Sequence, residues 1–307
     1  MVRYHRNAAV GAAGGDLQDV GAGVRGAGAE RRWRQWFASA GGFAADAILP
    51  VKPLRVVDLA APLRSGGRCE GLIASFPDRW GGVSAAPFNS LNLGFSTGDD
   101  PAAVRENRRR FAEAAAISLE HVVVAGQCHG SEVAEVGLQH RGEGALAPSA
   151  RLAGRDVVVL TEPGVFALSL TADCPLVAIA DPLTRRAGVA HCGWRGTAEG
   201  ALMRLLELLE PGPEALAILS PAISGEKYRV GPEVHQALAG LPGAEAAVRD
   251  EGIDLRTVLR EQLLRGGVES DRIALDVRCS ASDGDLFSYR RDQGSTGRGG
   301  LLIGWKF

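Results

Sequence analysis

Leu170-Thr171-Ala172-Asp173-Cys174-Pro175 and Ala190-His191-Cys192-Gly193-Trp194-Arg195-Gly196 lie on either side of a reversal, Asp181-Pro182-Leu183-Thr184-Arg185. Asp followed by Pro is strong turn chemistry, because proline pre-sets one dihedral and the Asp side chain can bond the backbone two residues on. The flanking runs 175–180 and 187–190 are almost wholly apolar, as expected of strands buried on both faces. A hairpin centred near Leu183 puts Cys174 nearly opposite His191, with Cβ atoms ~5 Å apart. Both fall at the end where the strands run out into loops. A thiolate and an imidazole so placed can share a metal or act as nucleophile and base.

Outward from this hairpin the pattern alternates irregularly between strand and helix. Further strands are expected at 121–125, 156–161, 165–172 and 273–277. Helices are expected at 101–116, 197–209 and 255–265, where apolar residues recur at helical spacing. There is no strict βαβ order and no internal repeat. The expected fold is therefore mixed α/β (α+β), a single domain with mixed β-sheets flanked by helices. That domain is expected to cover 67–307. Residues 1–66 are rich in Gly and Ala and poor in β-branched residues. They read as a disordered or poorly ordered N-terminal extension. A basic aromatic run, Arg31-Arg32-Trp33-Arg34-Gln35-Trp36-Phe37, offers an alternative, a short amphipathic docking helix at 30–40.

The net charge of −2 gives no reason to expect a nucleic acid or an anionic membrane as partner. No uninterrupted apolar run reaches the ~20 residues that span a bilayer. Five cysteines, an odd number in a long chain, do not suggest a disulfide framework, so a reducing cytoplasm is expected. No apolar segment of secretory type follows Arg3, His5 and Arg6.

A metal at Cys174 and His191 needs a third ligand. His129, in the glycine-flanked Gly126-Gln127-Cys128-His129-Gly130-Ser131 turn, is the candidate, with Cys128 as alternative. No local zinc-finger spacing occurs, so the site must assemble from separate segments, leaving a position open for water. Plainer readings stand beside this one: His129 as a hydrogen-bonded turn residue, Cys174 as a small core residue. Trp194-Arg195-Gly196-Thr197 leads into a helix, with Thr197 as a fair N-cap; a helix start beside a guanidinium favours an anion.

At these residues the sequence resembles the YfiH-like proteins, also called laccase-domain or polyphenol-oxidase proteins. The resemblance covers about 70–307 and rests on ordered motifs. They are Arg79-Trp80-Gly81-Gly82-Val83-Ser84, Leu91-Asn92-Leu93-Gly94, Asn107-Arg108, Gln127-Cys128-His129-Gly130, Ala172-Asp173-Cys174 and Ala190-His191-Cys192-Gly193-Trp194-Arg195-Gly196. Near the C-terminus come the stretch from Phe287 to Asp292 and Thr296-Gly297-Arg298. The paired cysteines common in the family after an Ile-Gly-Pro are absent: here the chain reads Ile223-Ser224-Gly225-Glu226-Lys227-Tyr228.

The resemblance implies a purine nucleoside phosphorylase that acts on adenosine, inosine and S-methyl-5'-thioadenosine with phosphate, and has adenosine deaminase side activity. It implies a zinc held by His129, Cys174 and His191, copper being possible. Arg79 and Arg195 are the candidates for holding phosphate, ahead of Arg290 and Arg298, since the guanidinium fork matches phosphate oxygens. Asp173 is the candidate proton carrier for deamination. Cys128 and Cys192 alternate with the ligands and read as packing. Arg108 is expected to stand apart from the solvated run Arg108-Arg109-Arg110, and Asn107 to position the Gly-Gly-Val-Ser loop. Three rival readings remain: a metal-independent cysteine hydrolase using Cys174 and His191, a copper-dependent polyphenol oxidase, and a metal-stabilised binding module. Bacterial family members are also associated with editing cell-wall precursors. Copper oxidases of that type need many histidines, and the chain has six. A monomer or homodimer is expected.

Overall fold

The computed structural model describes residues 52–63 and 69–307. Strands form where the chain is apolar and β-branched. In chain order they are β1 (Val56–Asp58), β2 (Leu72–Pro77), β3 (Val122–Val123), β4 (Val133–Val136), β5 (Val157–Leu160), β6 (Phe166–Thr171), β7 (Leu176–Ala180), β8 (Ala187–His191), β9 (Leu216–Leu219), β10 (Val248–Arg249), β11 (Gly252–Ile253), β12 (Ile273–Leu275) and β13 (Gly299–Trp305). One sheet has the order β1-β2-β13-β6-β3, another β12-β9-β7-β8-β5-β4, and β10 and β11 form a ribbon of their own. The two large sheets are mixed. β3 runs parallel to β6, β4 to β5 and β12 to β9, and the other neighbours are antiparallel.

Alternation along the strands assigns each side chain to a layer. Val158, Leu160, Ala178 and Ala180 join Ala74, Ala167 and Ile303 in a core between the sheets. Val157, Val159, Val177 and Ile179 point the other way, onto a helical layer. That layer is made by α3 (Ala201–Leu209) and α6 (Leu255–Arg265), and the remaining helices are α1 (Pro101–Ala114), α2 (Trp194–Ala198), α4 (Pro232–Leu238) and α5 (Ala244–Ala247). Leu202, Leu205 and Leu259 supply its apolar face. Phe111 and Ala112 of α1 pack with Phe166, Leu168 and Leu302 on the outer face of the five-stranded sheet. The order of layers is helix, sheet, sheet, helix. Central strands covered on both faces need apolar residues throughout, which is why β5, β7, β8 and β9 read as continuous runs.

The expected mixed α/β domain is the fold observed, with three local differences. The helix expected at 197–209 is two helices: α2 starts at Trp194 behind Gly193, and Gly200, at φ +85°, turns the chain before α3. Glycine takes that left-handed conformation without steric cost. Thr197 is therefore inside α2, and its hydroxyl donates to the Cys192 carbonyl at 3.1 Å. The strand expected at 121–125 shrinks to β3, because the backbone leaves the sheet at Val124, whose N donates to the Glu143 carbonyl, and Gly126 then bonds Leu152, Gly154 and Arg155. Third, part of the stretch read as extension builds the sheet: Val56, Val57 and Asp58 pair with Pro77, Phe76 and Ser75. The docking helix considered at 30–40 lies outside the described residues. No helix among the described residues is long and apolar enough to cross a membrane.

Asn107 does what its motif suggests. Its Oδ1 accepts from Val83 N at 2.8 Å, while Nδ2 donates to Ser84 Oγ at 2.8 Å and to the Asn92 carbonyl at 2.9 Å. One buried amide thus ties α1 to two loops.

Candidate metal centre and its cavity

Three segments meet at one end of the six-stranded sheet. His191 is the last residue of β8 and pairs with Leu176. Cys174 lies upstream of β7 and so is not the cross-strand partner expected from a hairpin centred at Leu183. It reaches His191 by another route. Asp173 takes φ +106°, and Thr171 Oγ1 donates to the Cys174 carbonyl at 2.6 Å, folding 172–174 back over the strand end. His129 arrives from the β3–β4 loop, also at positive φ, +68°. Non-glycine residues at such angles cost ~1–3 kcal/mol each unless their surroundings impose them. The ligand atoms of His129, Cys174 and His191 lie within 4.8 Å of one another, and the two rings meet edge to face with centroids 4.8 Å apart. No other group of three such residues converges among the described residues.

Asp156, which the sequence reading passed over, fastens two of the three ligands. It sits just before β5 with its side chain sealed from solvent. Its Oδ1 accepts from His129 N at 2.9 Å and bonds His191 Nδ1 at 2.8 Å. Its Oδ2 accepts from Cys128 N and Gly130 N, both at 2.9 Å. A carboxylate can only accept, so Nδ1 of His191 carries a proton and Nε2 is left for a metal. Burial opposes charge on Asp156, but the bonds from His191, Cys128 and Gly130 prevail and hold its carboxyl well below the ordinary range. The only sequence signal was an acid directly ahead of an apolar run. Burial also resists ionisation of Cys174, yet hydrogen bonds from His129 and His191 bring the thiol down to about 6. Burial works against the His191 imidazolium, while Asp156 and Cys174 raise it to about 9. A poised thiolate and two imidazoles, one oriented by a carboxylate, make a donor set that fits a transition metal.

Gly193 closes the site from below. A Cβ there would stand 3.0 Å from Cys174 Sγ and 3.3 Å from His129 Cδ2, although its φ of −58° suits any residue. Gly193→Ala should leave the fold intact but displace both ligands. Titration against a chromogenic chelator is expected to show metal affinity lowered at least ~10-fold, with an unchanged melting point for the metal-free protein. Full affinity would mean that the cluster is not the metal site.

The three residues open onto a cavity of about 640 Å³, within the ~300–1,000 Å³ typical of small-molecule sites. Trp194, Tyr228 and Tyr289 give it aromatic walls, and Asp173 is the acid that lines it. Asp173 accepts from Ser280 Oγ at 2.6 Å and from Arg290 N at 2.7 Å. Arg195, Arg290 and Arg298 line it too, and none forms an ion pair with a carboxylate among the described residues. Arg195 stacks on Trp194 at 4.2 Å, Arg290 on Tyr228 at 5.1 Å, and Arg298 near Tyr289 at 5.6 Å. Gln127 bonds both backbone groups of Leu170, at 2.8 and 2.7 Å, and locks the His129 loop to β6.

Two expectations change. Arg79 does not line this cavity. It faces a much smaller one behind Asp173, with Nε donating to the Asn89 carbonyl at 2.8 Å and the guanidinium over Phe287 at 4.6 Å. Its Nη1 also lies 3.9 Å from Asp292 Oδ2, so its charge is met by a carboxylate within that wall. Cys128 is exposed and bonds Asp156 Oδ2 through Sγ at 3.2 Å, so of the two cysteines read as packing only Cys192 is core.

The family model described as multi-copper polyphenol oxidoreductase laccase matches residues 73–306. A Streptomyces griseus protein named purine nucleoside phosphorylase ORF3 is 39% identical over 231 residues, covering 73% of this chain and 90% of that one. Purine nucleoside phosphorylase YlmD of Geobacillus stearothermophilus is 36% identical over 248 residues, covering 76% and 90%. The crystal structure of YlmD from that organism matches with TM-score 0.73 and 33% identity over 78% of this chain and 94% of that one. The crystal structure of the Bacillus licheniformis hypothetical protein YfiH does so with TM-score 0.73, 30% identity and the same coverage.

Proposed function

We propose that this chain, which belongs to the multi-copper polyphenol oxidoreductase laccase family, is a zinc-dependent purine nucleoside phosphorylase. The observation that carries the reading is the convergence of His129, Cys174 and His191 on a cavity whose arginines lack carboxylate partners. Relatives named purine nucleoside phosphorylases supply the substrate class. Three ligands of N and S type with an open fourth position suit zinc, and the same donors would accept copper. When bound, the ion supplies a Lewis acid beside the substrate.

The chain's own residues do the rest. Arg195, Arg290 and Arg298 hold phosphate by charge-assisted bonds. Trp194, Tyr228 and Tyr289 offer ring faces to the purine and exclude water from one side of it. Asp173 stands ready to move a proton in the accompanying deamination of adenosine. Inosine and S-methyl-5'-thioadenosine belong to the same substrate set. The test is release of free base from adenosine, inosine and S-methyl-5'-thioadenosine as a function of phosphate. Turnover should require phosphate. Arg195→Ala should raise the apparent KM for phosphate by ~10-fold or more, the worth of one charge-assisted bond, at unchanged metal content. Base release indifferent to phosphate would overturn the reading.

A second reading has one observation in its favour. The Cys174 thiol, at about 6 under the influence of His129 and His191, could serve a metal-independent cysteine hydrolase with His191 as base. Full activity in chelator-stripped protein would select it.

A further inference from the structure

We propose that a second part of the cavity wall, built around Arg108, is an anion subsite that takes a phosphate monoester carried by the nucleoside itself. The inference rests on the nucleoside reading above and narrows its substrate class.

Three consecutive arginines on α1 meet different fates. Arg109 and Arg110 pair with Glu106, and Arg109 also with Glu113. Arg108 turns inward and is 2% exposed. Its Nε donates to the Leu93 carbonyl at 2.7 Å, and its Nη1 to the carbonyls of Gly144 and Ala145 at 2.7 and 2.9 Å. No carboxylate pairs with it among the described residues. Its Nη2 makes no hydrogen bond there, and it is not one of the sealed, unpartnered atoms among the described residues, which are Arg141 Nη2, Arg185 Nε and Gln262 Oε1. The surface Arg108 retains opens on the large cavity, which it lines.

A buried cation without a counter-ion is costly, and proteins keep one only where something compensates it. Three carbonyl dipoles do so in part. Burial still draws the guanidinium down to about 9, with no acid opposing the shift. The ring of Phe95, 4.4 Å from the guanidinium carbon, fixes its plane and also lines the cavity. The result is a rigid, desolvated donor aimed at a space large enough for a ligand. A phosphate oxygen is the natural complement. The segments involved (α1, 93–96 and 144–149) differ from those that carry Arg195 and Arg290. A phosphate borne by the ligand at Arg108 and a phosphate consumed in phosphorolysis at Arg195 and Arg290 would then be held by separate segments.

Calorimetry on the full, zinc-loaded chain with adenosine, adenosine 5'-monophosphate and inorganic phosphate tests this. Ser96 is exposed and lines the cavity beside Phe95, so Ser96→Glu brings a counter-charge without disturbing the core. The monophosphate should bind about 10-fold more tightly than adenosine, as one charge-assisted contact predicts. Ser96→Glu should cancel that advantage, Arg195→Gln should preserve it, and Arg108→Lys should reduce it. An advantage lost in Arg195→Gln but kept in Ser96→Glu would place the monoester in the phosphorolysis site and overturn the proposal. So would no advantage at all, including the case in which Ser96→Glu weakens only inorganic phosphate. Failure of adenosine itself to bind would sink the nucleoside reading, and the subsite with it.

Discussion

Cys174→Ala should yield a folded protein that binds no stoichiometric metal and phosphorolyses nucleosides at least ~10³-fold more slowly. Loss of a partner behind a ligand already costs ~10–100-fold in affinity or activity, and loss of the thiolate removes a ligand outright. Two imidazoles alone leave the ion half-coordinated. The fold should survive. The side chain is small and sits in the 172–174 turn, whose backbone is held by bonds that do not involve Sγ: Thr171 Oγ1 to the Cys174 carbonyl, Ile223 N to the Asp173 carbonyl and Cys192 N to the Pro175 carbonyl. Elemental analysis and circular dichroism check both halves of the prediction. A mutant that keeps its metal would move the site elsewhere, and one that keeps its turnover would detach the chemistry from Cys174.

Asp156→Asn should weaken metal binding ~10–100-fold and destabilise the metal-free protein by ~2–5 kcal/mol. The two effects share one cause. The carboxylate takes N–H bonds from Cys128, His129 and Gly130 and bonds His191 Nδ1. An amide of the same shape offers one acceptor oxygen and turns an NH₂ toward donors that have no lone pair to give. The 128–130 loop, which carries His129 at φ +68°, then loses what imposes that angle, and His191 loses the contact that sets its tautomer. Metal competition reads the first effect, and urea denaturation of stripped protein the second. Loss of stability without loss of metal affinity would reduce Asp156 to a loop anchor.

The sequence carried most of the fold because the central strands obey one rule. A strand covered on both faces is apolar at every position, and β5, β7 and β8 were legible on that basis alone. The break at Gly200 was not, since the leucines of α3 keep helical spacing on their own and a lone glycine inside a helical pattern is ordinarily tolerated. His129, Cys174 and His191 were named together from the sequence, but for a partly mistaken reason. The hairpin register pairs Leu176 with His191, and Cys174 returns to the site through the positive-φ turn at Asp173, which no periodicity reveals. Asp156 escaped notice because an acid before a buried strand looks like any strand edge, and its five donors are scattered in sequence from 128 to 191. Arg79 erred in the opposite sense. Its residue type suited phosphate, but its position behind Asp173 commits it to Asn89 and Phe287.

Phosphorus NMR of the zinc-loaded protein with inosine and inorganic phosphate tests the central claim most directly. The account predicts a ribose 1-phosphate resonance that grows in step with free hypoxanthine, vanishes when the metal is stripped and returns when zinc is restored. Hypoxanthine released without the sugar phosphate, or undiminished turnover by the stripped protein, would contradict it.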